Sequence, residues 1–240
     1  MMNAITINNL TKKYKNINAV SDLSIHIHQG EVFTILGTNG AGKSTTIKML
    51  TTLVKPTSGT ATIMGYDIIK EKEKIRKFIN ISPQETAIAN NLTVLENLEF
   101  FAGIYHINDS KQKINDLIML FKLQNVLKQK VKTLSGGYKR KVSIAVSLIN
   151  SPKILFLDEP TLGLDVISRR ELWEIINVLK KDTTIILTTH YMEEAEALSD
   201  KIAIMNQGRL LVVDTPDNLK QNYLKSTIEE VFTSVILEEK

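Results

Sequence analysis

Gly37, Gly42, Lys43 and Ser44 stand at the spacing G-x-x-x-x-G-K-S within Gly37-Thr38-Asn39-Gly40-Ala41-Gly42-Lys43-Ser44. Glycines at these places let the backbone turn its N–H groups inward around phosphate oxygens. The lysine offers a cation to β- and γ-phosphates, and the serine hydroxyl offers a hard oxygen to Mg²⁺. Such a loop is credible only between a strand and a helix. Val32-Phe33-Thr34-Ile35-Leu36 before it is an apolar run of strand length, and Thr45 to Leu53 after it reads as a helix. The start of that helix adds a partial charge of roughly +0.5 directed at the loop.

Two further segments can do chemistry. Asp158-Glu159 ends the apolar run Ile154-Leu155-Phe156-Leu157. Successive strand residues point to opposite sides, so the two carboxylates can take different tasks. Taken alone, the pair is equally a plain acidic turn before Pro160. Paired with the phosphate loop, it fits a Walker B strand, in which Asp158 would bind Mg²⁺ through water and Glu159 would polarise an attacking water. Leu134-Ser135-Gly136-Gly137-Tyr138 precedes a helical pattern at Val142, Ala145, Val146 and Ile149. Ser135 can cap that helix, and the two glycines leave backbone N–H groups bare. Locally this is either a helix cap or a second anion site.

The elements that must position these residues are legible as patterns. Ile5 and Ile7, then Leu23, Ile25 and Ile27, alternate with polar residues as half-exposed antiparallel strands do. Ile154–Leu157 and Thr184–Leu187 are continuous apolar runs, the mark of central parallel strands. Two apolar runs, 202–205 and 210–213, flank Asn206-Gln207-Gly208-Arg209 as a hairpin. From about Glu85 to Pro152 the pattern is helical. Thr93-Val94-Leu95-Glu96 is a capping box, Asp109 with Gln112 marks another start, and Ile114, Leu117, Ile118 and Phe121 fall on one face. Trp173 sits in a helical pattern with Leu172, Ile175, Ile176 and Leu179 and reads as core. The expected fold is α/β: a mixed central sheet with helices, an antiparallel β subdomain and an inserted helical subdomain. The expected division of a single domain over 1–240 is a core of 1–84 and 153–214, a helical part of about 85–152, and a short extension of 215–240.

Bulk properties narrow the classes. With 240 residues, 43 % of them hydrophobic, the chain can bury a full core. The net charge is +4, but the charges are interspersed, as in Lys70-Glu71-Lys72-Glu73-Lys74, which reads as a solvated helix face. No block of like charge is long enough for a nucleic-acid arm, so no nucleic-acid partner is expected. Zero cysteines exclude a disulfide framework and a thiolate metal site. Met1–Ile7 lacks a charged start before an apolar stretch, so no signal peptide is expected. No apolar run approaches the ~18 residues of a membrane helix.

The order phosphate loop, Gln84, Leu-Ser-Gly-Gly, Asp158-Glu159, His190 is that of ATP-binding-cassette (ABC) ATPases, and the chain resembles one over nearly its whole length. The resemblance implies an ATPase with ATP and Mg²⁺. Two such domains pack head to tail, each ATP lying between one phosphate loop and the other subunit's Ser135, Gly136 and Gly137. Nucleotide contacts fall on Tyr14, matching an adenine-stacking aromatic, on Gly37, Thr38, Asn39, Gly40, Ala41, Gly42, Lys43, Ser44 and Thr45, and on Asp165, matching the D-loop at the dimer interface. Mg²⁺ falls to Ser44, Gln84 and Asp158. Glu159, Gln84 and His190, the last matching the switch histidine of the γ-phosphate, are the catalytic candidates. His26, His28 and His106 match nothing and read as surface or edge residues. One departure is visible: Tyr138 stands where the family usually has Gln, which leaves the backbone donors of residues 135–137 untouched.

Among ABC proteins, DNA-repair relatives insert a long coiled coil, and no sustained heptad pattern occurs here. Translation-linked relatives carry two cassettes, and 240 residues hold one. The remaining reading is a separate ATPase subunit docked on an integral membrane permease at the inner face of the cell membrane, as a homodimer or heterodimer. The segments Met49–Ala61 and Leu134–Lys141, with the tail Ile228–Phe232, resemble the bacterial daunorubicin-resistance-like exporters. The implied cargo is a drug, antibiotic or lipid. The alternatives are an ATPase of an ion or polysaccharide exporter or of an importer, or a soluble non-transport ABC ATPase.

Overall fold

The computed structural model describes residues 2–238; Met1 and the last two residues of the expected C-terminal extension lie outside the described residues. Strands β1 (Asn3–Tyr14) and β2 (Ile17–His28) form an antiparallel pair that opens the chain. Strand β3 (Val32–Leu36), buried throughout, leads into the phosphate loop and α1 (Lys43–Leu50). This helix stops three residues short of the expected Leu53. Thr51 and Thr52 turn the chain, Thr52 in the left-handed region at φ 61°.

Then come β4 (Ser58–Ile63), β5 (Tyr66–Asp67), the short α2 (Lys72–Ile75) and β6 (Ile79–Ser82). In the order β2-β1-β4-β5, the first sheet is antiparallel. The expected helical face at Lys70–Lys74 is real only from Lys72, because Ile69 and Lys70 turn around the Asp67 carboxylate.

Between β6 and β7 (Ile154–Asp158) the chain is helical: α3 (Val94–Ile104), α4 (Ser110–Leu120) and α5 (Gly136–Ser147). The Thr93–Glu96 capping box starts α3, and Asp109 caps α4 through the Gln112 amide. The core continues through α6 (Val166–Leu179), β8 (Thr184–Thr189), α7 (Met192–Leu198), β9 (Lys201–Asn206) and β10 (Arg209–Asp214). Gln207 and Gly208 join the last two strands with φ of 45° and 81°, the paired positive values a tight hairpin requires. Two short helices, α8 (Pro216–Asn222) and α9 (Ile228–Glu238), end the described chain.

The second sheet runs β10-β9-β3-β8-β7-β6, parallel except for β10. Its central strands β3, β7 and β8 are buried throughout, which is why they read as largely apolar runs. Phe33, Ile35, Ile154, Phe156 and Ile186 pack toward the antiparallel sheet and α1. Leu155, Leu157, Ile185 and Leu187 point the other way, toward α3–α6. The apolar face expected on α5 is an understatement. Lying between the sheet and the outer helices, it buries every residue from Arg140 to Ser147.

Candidate active site

The parallel strands β3, β7 and β8 end side by side, Asp158 in register with Thr188 and Leu36 with Thr189. Residues leaving those ends share one crevice, the usual ligand position in open α/β sheets. A cavity of about 730 Å³ lies there. Its walls include Thr38 to Thr45, Gln84, Glu159, Leu162 and His190, with Ile17, Asn18, Ala19 and Gln207 from the antiparallel sheet and the β9–β10 turn. The Gly208 amide donates to the Ala41 carbonyl at 3.1 Å and ties that turn to the loop.

The loop's own geometry needs glycine at position 42. Gly42 has φ 101°, and a Cβ there would meet the Ala19 carbonyl oxygen at 2.5 Å. Lys43 is buried, with Nζ donating to the carbonyls of Gly37 at 2.8 Å and Thr38 at 3.2 Å. Nζ also lies 3.1 Å from Glu159 Oε1. Glu159 Oε2 lies 2.7 Å from His190 Nδ1. The Glu159 backbone, at φ 49°, sits in a region costly for a side-chain-bearing residue. Its amide donates at 3.1 Å to both the carbonyl and the hydroxyl of Thr188.

Ser44 Oγ donates to Asp158 Oδ1 at 3.1 Å, and Thr188 Oγ1 donates to the same oxygen at 2.6 Å. A hydroxyl and a carboxylate beside a phosphate loop are the hard oxygen donors Mg²⁺ takes, with phosphate and water completing its shell. These residues fit the ion. When bound, it would neutralise charge on phosphate oxygens.

Among the described residues, not every candidate converges on this cavity. Tyr14, at the end of β1, is outside its lining, 43 % exposed, with Lys12 Nζ 4.8 Å from its ring centre. Its strand partner Ile17 does line the cavity. Ser135, Gly136 and Gly137 are also outside it, at the start of α5, where Ser135 Oγ accepts from the Tyr138 amide. Gly137 lies close to the α6 side: a Cβ there would come within 2.7 Å of Ser168 Oγ, which would have to shift. Ser168 belongs to the Asp165 turn. Asp165 caps α6 by accepting from the amides of Ile167 and Ser168 and from the Ser168 hydroxyl at 2.7 Å. Those bonds, the Ser168 amide foremost, hold its pKa below the ordinary 3.8. Tyr138 lies beside Lys141, whose Nζ is 5.3 Å from the ring centre.

Three residues beside the site escape motif reading. Thr188 braces both carboxylate-bearing residues. Arg140 reaches backbone carbonyls around them. Glu194 is fully buried in α7, its Oε1 accepting from Trp173 Nε1 at 3.1 Å. Burial pushes the Glu194 pKa up, against the pull of the Trp173 donor. Trp173 is therefore half-buried with a polar task, rather than plain core. For these three, sequence offered only the Thr-Thr-His end of β8 and the basic run after Tyr138.

A strand–phosphate loop–helix unit, with Asp158 at the end of a parallel strand one position removed in the same sheet and Glu159 just after it, defines a phosphate-loop ATPase domain. The chain belongs to the ABC transporter family, whose model matches residues 20–162, and is its ATP-binding, ABC ATPase domain. It is 42 % identical over 225 residues to the human phospholipid-transporting ATPase ABCA3, covering 91 % of this chain and 13 % of that protein. It is 39 % identical over 235 residues to the Probable multidrug ABC transporter ATP-binding protein YbhF of Escherichia coli (strain K12), covering 95 % of this chain and 40 % of that one. The chain thus spans less than half of each of these relatives. A solved ATP-binding subunit of an ABC transporter superposes with TM-score 0.87 at 28 % identity, over 97 % of this chain and 99 % of the other. The cassette MJ0796, solved as a dimer in a post-hydrolysis state with ADP and Pi, gives TM-score 0.80 at 26 % identity, over 88 % and 98 %.

Proposed function

We propose that this chain binds and hydrolyses Mg-ATP and drives export through a separate membrane permease. The carrying observation is Glu159, held between Lys43 and His190 inside the cavity of the phosphate loop. Backbone amides of residues 37–45 and Lys43 bind the phosphates; Ser44, Gln84 and Asp158 would hold Mg²⁺, which would neutralise charge on the phosphate oxygens. The Glu159 carboxylate takes the proton of the attacking water, and His190 contacts the γ-phosphate. Tyr14 stacks on adenine at the open edge of the cavity, beyond Ile17.

The site is completed by a second copy or a paralogue. Ser135, Gly136 and Gly137 lie outside their own chain's cavity, which suits a role in the partner's, and Asp165 lies against them through Ser168. The MJ0796 dimer supports such pairing. Functionally the chain divides into a catalytic core of 1–84 and 153–214, a helical part of 85–152 that carries the Leu134-Ser135-Gly136-Gly137 signature and faces the permease, and an extension from 215. Among the described residues no helix is long and apolar enough to cross a membrane. The translocation path is assigned to the permease. The relatives named for phospholipid and multidrug transport favour an amphiphilic cargo, a lipid or drug.

ATP turnover by the purified chain, stimulated when it is reconstituted with its permease, is the expected result. A chain with no Mg-dependent ATPase, alone or with the permease, would sink the proposal.

A further inference from the structure

Arg140 stands in the second turn of α5 and is 4 % exposed. Its Nε donates to the Pro160 carbonyl and its Nη2 to the Asp158 carbonyl, both at 2.8 Å. These two carbonyls lie on either side of Glu159. Its Nη1 donates to the carbonyls of Pro83 and, at 3.5 Å, Gln84. One planar guanidinium therefore grips the segment that bears Glu159 and the segment that bears Gln84. Burial lowers its pKa to about 10 while Asp158, Glu194 and Glu159 oppose the fall, so it is charged at neutral pH.

The grip meets a need. Glu159 holds a left-handed backbone, which persists only where its surroundings over-determine it. The amide side of that peptide is held by Thr188, and the flanking carbonyls are held by Arg140. The guanidinium rides on the same helix that begins at Ser135–Gly137, so it ties both segments to that end of α5.

We propose that Arg140 is a positioning residue that sets Glu159 and Gln84 against the signature end of α5, so that turnover depends on its fork while nucleotide affinity does not. The inference rests on the ATPase reading of Glu159. A lysine keeps the charge but offers a point donor on a flexible stem and cannot bridge both segments.

The test compares Arg140→Lys and Arg140→Gln with wild type in the full chain for Mg-ATP affinity, single-turnover rate and melting temperature. A misplacement of about 1 Å can cost ~10²-fold, so the rate should fall about 10- to 100-fold. Affinity should stay within about threefold, the pattern of an interaction made in the transition state only. Arg140→Lys should retain more rate than Arg140→Gln. Adding Arg140→Lys to Glu159→Gln should reduce the residual rate little further, because both act on the same carboxylate. Equal losses in both backgrounds, a wild-type rate in Arg140→Lys, or failure of Arg140→Lys to fold would overturn the proposal, the last by making Arg140 a residue of stability. An inactive wild type would instead sink the ATPase reading.

Discussion

His190 Nδ1 lies 2.7 Å from Glu159 Oε2, across the ends of two adjacent parallel strands. The contact fixes both side chains without a bond between neighbours in sequence, since 31 residues separate them. A histidine in that position can hold the carboxyl in place and still present its other ring nitrogen to the cavity, where its side chain is 31 % exposed. His190→Ala should therefore slow hydrolysis by ~10²-fold or more while leaving ATP binding in place. Stopped-flow binding and steady-state turnover on the same preparation check this; a parallel loss of affinity would show that His190 serves binding instead.

Lys43→Ala removes the buried cation between the loop carbonyls and Glu159. The charge-assisted contacts offered to the β- and γ-phosphates go with it. Turnover should disappear and ATP affinity should fall. Near-normal turnover in the purified variant would contradict the assignment of this loop.

How far the sequence reaches depends on range. The phosphate loop, the 202–213 hairpin, the Thr93 capping box and the apolar strands are local signals, and each sits where its pattern places it. Helix α1 ends early because Thr51 and Thr52 close it, a choice propensity does not specify. Arg140, Thr188 and Glu194 were silent because their partners are 18 to 57, 29 to 30 and 21 residues away in the chain. Asp165 was legible as a motif, but its capping of α6 and the approach of Ser168 to Gly137 belong to the fold.

Tyr14→Ala should weaken nucleotide affinity and spare the chemical step. Stacking on a base contributes ~1–3 kcal/mol, about 5- to 150-fold in Kd. The ring is 43 % exposed and beyond the cavity lining, so it has room to receive a base. Unchanged affinity would assign the adenine to Ile17 and Ala19 instead.

Glu194 binds its proton more tightly in the fold than in the unfolded chain, burial being the main cause. Its contribution to stability is thus complete below the ordinary value of 4.5 and is lost as pH rises from there through the folded value. Glu194→Gln keeps an acceptor for Trp173 and cannot ionise. Relative to wild type, its unfolding midpoint in urea should rise as pH goes from 5 to 8. A difference that stays constant over that range would mean that Glu194 does not titrate there.

Glu159→Gln preserves the shape between Lys43 and His190 and removes the base. Mg-ATP should still bind, and turnover should fall by ~10²–10⁴-fold. The amide also removes a negative charge facing the γ-phosphate, so an ATP-bound dimer should persist long enough to isolate. Ser135 caps α5 through the Tyr138 amide, and Gly137 lies hard against Ser168. Ser135 is exposed, so an arginine there projects over the surface offered to a partner. Ser135→Arg in the Glu159→Gln chain should abolish the trapped dimer. Size-exclusion chromatography with ATP separates the outcomes. Dimer in the single variant and monomer in the double variant place the signature across the interface; equal dimer in both would mean that residues 135–137 do not meet ATP there, and the paired-site mechanism would fall.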